Sequence, residues 1–440
     1  MSAPEPRPLD DVLAQVRADG TALRADRNRR HRRRIRVATG LGAVAVLAVG
    51  ALAVARFGDR DDGGTVAAGP TTSTVPSTAT STPLDPSDPV TPMATSPLSA
   101  RSRAVTAWTG REILIWGGQG ATSDVCMPRD GENLCGDPAP DDGAAYDPSN
   151  DTWRMLPSSP LHANGSFMNF IGVWTGTELV VWGGKPVAAA AYNPTTDAWR
   201  SLDAGTREAT YDQRSVWTGT EMVVASGATA DGYDPTTNSW RTLPDVPAPS
   251  ARITGLTWTG TDLVVTAAPD GEVDDSPAFA LADGATAWRP FGTTPFPNVA
   301  GLTTVDGHVV AVGRRRAEPD QPDTRATYAT ADGSGSWTTA PSGVDVGARE
   351  FDGVLDAGGL VVAYGSTFFP MNEEDPDPDN VVAFAVDGTD DVHTIGTSTG
   401  KRAGLSAVWT GQDLFVWGGA PEGGFGGQPV ADGVRITFTD

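Results

Sequence analysis

Residues 173–184 read VWTGTELVVWGG and residues 191–202 read AYNPTTDAWRSL, and both stretches recur along the chain. The second copy is VWTGTEMVVASG from Val216 with GYDPTTNSWRTL from Gly232. An earlier copy is AWTGREILIWGG from Ala107 with AYDPSNDTWRML from Ala145. Looser copies begin near Thr257, Thr304, Val354 and Val408. The position of Trp108 recurs at Trp174, Trp217, Trp258, Val305, Leu355 and Trp409. Each unit reads as four short strands. The first ends at the tryptophan of W-T-G, and the T-G pair turns the chain into the second. A third ends at tyrosine, and D-P-T-T or D-G turns into a fourth that starts at tryptophan. All 13 tryptophans fall at the end of strand one, the end of strand two or the start of strand four. A four-stranded sheet cannot bury both faces alone, so large rings at equivalent positions are expected to fill the wedges between neighbouring sheets.

Gly117-Gly118, Gly183-Gly184 and Gly418-Gly419 close apolar second strands, and Tyr146 to Trp153, Tyr192 to Trp199 and Tyr233 to Trp240 each have six residues between them; a diglycine followed by Tyr-x6-Trp resembles the Kelch motif. The resemblance covers residues 93–440, strongly in three units. It implies an all-β, seven-bladed β-propeller, since 348 residues hold seven repeats of the roughly 50 residues of a Kelch blade. The last unit has one plausible strand, Gly433–Phe438, after its second. Residues near 93–97 are therefore expected to supply its outer strand and close the ring.

Residues 1–57 carry a charge balance of +6 and the rest of the chain −29. Arginines crowd Arg29–Arg36, and Val37–Ala55 is uncharged for nineteen residues. That run is long enough to cross a bilayer as a helix, and its basic flank predicts a cytoplasmic N-terminus. A cleaved signal peptide competes, because Ala53-Val54-Ala55 forms an A-x-A site, but the lead is long for one. Residues 58–92 hold 8 Thr, 4 Ser and 6 Pro, a composition for an extended stalk. The expected order is a basic tail at 1–36, a membrane helix at 37–57, a linker at 58–92 and the propeller at 93–440. This places the propeller outside the cell as a monomer on a single-pass anchor. Its acidity excludes nucleic acid as a partner.

Connections between strands two and three, and between four and one, are long in several units. In an up-and-down sheet both emerge on one face, where a protein or glycan ligand would bind. Arg101, Arg252, Arg349 and Arg402 precede first strands on that face. As candidate ligand-binding residues they would ring the channel mouth and attract an anionic or carboxylate-bearing ligand, but ion pairs with loop aspartates are the favoured reading. Cys126 and Cys135, in the longest insertion, are expected to form a disulfide outside the cell. Asn372–Asn380, NEEDPDPDN, reads as a solvated acidic tip before a calcium loop.

The Kelch resemblance raises the copper chemistry of galactose oxidase, which needs paired histidines and tyrosines. Here His31, His162, His308 and His393 show no paired spacing. The segment Thr330–Trp337 is near the Asp-box turn of sialidases, itself a structural turn. No catalytic residue, metal ligand or cofactor is assigned. A binding module is the first reading and a carbohydrate-active enzyme with its site in the channel the alternative.

Overall fold

The structure, a computed structural model, describes residues 90–438 apart from 121–124, 130–131, 137–139, 163–169, 211, 249–251, 269–274, 315–325, 341–350, 366–380, 386–391, 396–401 and 422–427. The segments expected to form a basic tail, a membrane helix and a stalk before residue 90, together with Arg349 and residues 372–380, lie outside the described residues. Among those described, no helix is long and apolar enough to cross a membrane.

Among the described residues the repeat builds seven four-stranded antiparallel sheets, which we number as blades in chain order. Their innermost strands are Val105–Trp108, Phe170–Trp174, Arg214–Trp217, Arg252–Trp258, Asn298–Val305, Gly353–Asp356 and Ser406–Trp409. Each innermost strand packs against the next, and that of blade seven packs against that of blade one, so the sheets form a closed propeller. The core is divided in the same way. One apolar cluster fills each wedge, and the wedge between blades seven and one holds Ile113, Ile115 and Tyr146 against Val408, Phe415 and Trp417. Trp116, Trp182 and Trp417, at the ends of second strands, are almost wholly buried in these wedges.

The outer tryptophans add a repeated staple. Indole N–H groups at the start of fourth strands donate to a carbonyl at the end of the preceding blade. Trp199 reaches Pro157 O at 3.1 Å, Trp240 reaches Asp203 O at 2.8 Å, Trp288 reaches Pro244 O at 2.7 Å and Trp337 reaches Phe291 O at 2.9 Å. Trp153 of blade one reaches Ala94 O at 2.9 Å, so the segment before blade one stands where the end of a preceding blade stands elsewhere.

Closure uses that segment, with one correction to the sequence reading. The outer strand of blade seven is Val90–Pro92, not 93–97; it pairs Val90 with Ile436, Thr91 with Arg435 and Pro92 with Val434. Met93 and Ala94 continue it, with Met93 N donating to Gly433 O at 3.0 Å and Ala94 N to Asp151 Oδ1 at 2.8 Å. The prolines at 89 and 92 assign this stretch to the stalk by composition. An edge strand tolerates proline wherever the missing N–H would face outward. The boundary of the propeller therefore lies at or before residue 90.

The face carrying the strand one-to-two and three-to-four turns is built from repeats of one design. Thr109 N and its hydroxyl both meet Glu112 O, and Glu112 N returns to the threonine hydroxyl at 2.8 Å. The same turn recurs at Thr175, Thr218, Thr259 and Thr410. Its glycines, Gly110, Gly176, Gly219, Gly260 and Gly411, have φ between 90° and 102°, which glycine adopts without a Cβ penalty. In four of these five turns the closing acid pairs with an arginine of the fourth strand, and in blade seven Asp413 pairs at 2.7 Å with Arg435 of the third. Arg154 meets Glu112 at 2.8 Å, Arg200 meets Glu178 at 2.7 Å and Arg289 meets Asp262 at 3.0 Å, and Arg241 meets Glu221 likewise.

Candidate functional site

The opposite end of the channel collects the unlike connections. It carries the long strand two-to-three loops of blades one, four, five, six and seven and the segments entering each innermost strand. Threonine and serine hydroxyls brace the channel wall between blades. Thr106 Oγ1 donates to Ala407 O, Ser406 Oγ to Ala104 O and Ser215 Oγ to Gly172 O, and Thr257 bonds Thr304.

Two of the four expected ligand arginines are committed to the frame. Arg101 is fully buried. Its Nη1 donates to Asp142 Oδ1 at 2.7 Å and to Gly117 O at 3.2 Å, and its Nε and Nη2 go to Ser99. Arg402 repeats the arrangement in blade seven, with Gly418 O and Asp432 as acceptors. In both blades the arginine pairs with the aspartate just before the third strand and with the first carbonyl of the diglycine. A desolvated guanidinium needs such partners, and their fork geometry accounts for arginine at both positions. The ion-pair alternative describes Arg101 and Arg402. Arg252 is half-buried at the first residue of its innermost strand. Arg349 lies outside the described residues.

Blades one and seven are further laced together here. Gly419 N donates to Arg101 O, Arg101 N to Val430 O and Arg103 N to Gly404 O at 2.7 Å. Asp352 of blade six accepts from Gly404 N at 2.6 Å and Leu405 N at 3.3 Å.

The sequence reading passed over Arg214, which opens the innermost strand of blade three and is 7% exposed. The residues three before the Trp108-type position elsewhere are Val105, Ile171, Gly255, Leu302, Asp352 and Ser406. A cation in that column was the available signal. Among the described residues its Nη1 donates to Gln213 O at 3.4 Å. Burial pushes its pKa down to about 10; Asp212 opposes that shift, and the positive charge of Arg103 adds to it.

Among the described residues no group of three or more His, Cys, Asp or Glu is arranged to hold a metal ion. His162 is exposed, with Nδ1 3.2 Å from Asp141 Oδ2. In the hairpin Val125–Arg129 and Glu132–Gly136 the backbone register sets Cys126 directly opposite Cys135. Opposed residues of an antiparallel pair have Cα atoms about 4.5–5.5 Å apart, within the span of a disulfide.

Fold and geometry together define a β-propeller with one regular face and one face of dissimilar loops. No family model matches the chain, and none of the curated proteins searched matches it.

Proposed function

We propose that the protein is a membrane-anchored, extracytoplasmic, seven-bladed Kelch-like propeller that binds a protein or glycan at its loop face. The observation that carries this reading is the contrast between the two ends of the channel. One end repeats a single turn and a single ion pair from blade to blade, which is what a scaffold requires. The other varies in loop length and side chain in nearly every blade, as recognition surfaces on rigid scaffolds do. The Tyr-x6-Trp pairs support the Kelch reading. Tyr146–Trp153, Tyr192–Trp199 and Tyr233–Trp240 lie directly across strands three and four with ring centroids 4.9, 5.2 and 5.1 Å apart.

The test is a glycan array and a pull-down from extracytoplasmic extract with the full chain. Saturable capture of one ligand class, lost on replacing loop-face residues and retained on replacing exposed residues of the regular face, is the expected result. Turnover of a captured glycan into smaller fragments would instead identify an enzyme.

A further inference from the structure

Every blade but one contains tryptophan. None lies between Trp337 and Trp409, so blade six, with strands from Gly353–Asp356 to Val392–Ile395, has no indole at all. The strand register shows what this removes. Val392 pairs with Phe384 where Trp153 pairs with Tyr146, and in blade seven Val90 pairs with Ile436 at the same place. From that position an indole N–H staples its blade to the one before. A valine side chain carries no donor. The indole staples therefore run from blade seven through blades one to five, and neither seam of blade six has one. The wedge between blades five and six is also filled without an indole, since among the described residues its rings are Tyr328 and Phe351. Smaller rings bury less surface where two sheets converge.

Charge at the seams changes in the same sector. On the regular face Arg154 of blade one meets Asp197 of blade two at 2.9 Å. The fourth strands of blades five and six, Trp337–Thr339 and Val392–Ile395, contain no arginine. Two carboxylates approach at their seam instead. Gly359 N donates to Asp356 Oδ1 at 2.9 Å, and a Cβ on Gly359 would stand 3.7 Å from Asp306 Oδ2 of blade five. Burial first, and the Asp306 charge in addition, hold the Asp356 carboxyl above the usual carboxylate range. Like charges oppose closure of a seam that opposite charges would favour. On its other side blade six meets blade seven at the loop end through Asp352, which accepts from Gly404 N at 2.6 Å and Leu405 N at 3.3 Å.

We propose that blade six is a separately opening sector of the ring, leaving its two seams while the other six blades stay closed. Each blade touches only its neighbours, so the stability of a sector follows from its own seams and differs around the ring. Opening here parts the channel wall beside Asp352 and gives the loop face one adjustable side. The inference stands whatever the loop face binds.

Hydrogen–deuterium exchange of the full chain, read by mass spectrometry at one fixed pH, tests it. Leu360–Tyr364, the second strand of blade six, should exchange about tenfold or more faster than Leu179–Gly183 and Met222–Ser226, the same strands of blades two and three. Asp352→Ala should speed exchange in blade six further and leave blades two and three as they were. Asp306→Asn removes one of the two like charges and should slow exchange in blade six alone, by about twofold or more. Equal protection of the three second strands in the wild-type chain overturns the proposal. So does a D352A chain whose exchange rises alike in every blade, which would mark a residue of general stability. Should D352A fail to fold, D306N still decides: slowing confined to blade six supports the opening sector, and no slowing, or slowing shared by all blades, overturns it.

Discussion

Trp116 and Trp182 occupy equivalent places at the ends of second strands and are buried to the same degree, yet their indole nitrogens differ. Trp182 Nε1 donates to Ala204 O at 2.9 Å, and Trp116 Nε1 finds no acceptor among the described residues. Replacing either by phenylalanine removes a similar volume from a wedge. Only Trp182→Phe also strands a carbonyl and loses a hydrogen bond, so it should destabilise more than Trp116→Phe by about 1–3 kcal/mol. Urea unfolding of the two variants measures the difference, and equal losses would refute a stabilising role for the Trp182 indole bond. The turn aspartates give a second residue-scale expectation. Hydrogen bonds from Ser149 hold Asp147 below the usual carboxylate range, and the Thr236 N–H does the same for Asp234. A depressed folded pKa contributes stability that is present above the unfolded value near 4 and is lost as pH falls through the folded value. Burial raises Asp356, so protonation of that group on acidification relieves a cost and acts in the opposite sense. Tm measured from pH 5 to pH 2 should therefore fall less steeply in Asp147→Asn than in the wild type, and more steeply in Asp356→Asn.

Strands show which parts of the fold a sequence can declare. The Trp108-type positions mark the ends of innermost strands because a large ring is needed wherever two blades converge, and that demand repeats. The T-G turn is equally visible, since left-handed glycine and a capping threonine are local requirements. The closing strand was legible as a need but misplaced by three residues. It belongs to no complete unit, and its prolines give it the composition of the stalk. Candidate-site residues were harder to read for a related reason. Arg101 and Arg402 stand at a repeated position because the frame repeats there. Arg214 departs from its column, and a departure is visible only once the column is known. Closure itself predicts an effect. Met93 N bonds Gly433 O, so Thr91, two residues earlier, also points its N–H at the third strand. Thr91→Pro should remove that ladder bond and lower Tm. A chain lacking residues 1–95 should expose the edge of Gly433–Thr437 and associate at concentrations where the intact chain does not. Size-exclusion chromatography of the two decides it, and a truncated chain as monomeric and as stable as the whole would show that closure carries no energy.

At the scale of the whole molecule, the charge pattern and the cysteine pair bear on the same proposal, that the propeller faces an oxidising exterior. A cytoplasmic propeller would keep Cys126 and Cys135 as thiols; an exported one would oxidise them, because the hairpin register already places them in reach of each other. The uncharged run at 37–55, flanked by arginines, would keep the chain with the membrane, and the Thr/Ser/Pro-rich stretch before residue 90 would lie between anchor and propeller. Protease added to intact cells should then cut within 58–89 and release a soluble fragment carrying the propeller, whose cysteines stay unreactive toward maleimide until reduced. Deleting residues 37–57 should leave the remaining chain inside the cell with both thiols reactive. The two readouts are independent, since one follows backbone accessibility and the other redox state. A fragment released with free thiols would refute the disulfide alone, whereas a protease-resistant membrane-bound chain with free thiols would place the propeller on the cytoplasmic side and refute the orientation drawn from the arginine block.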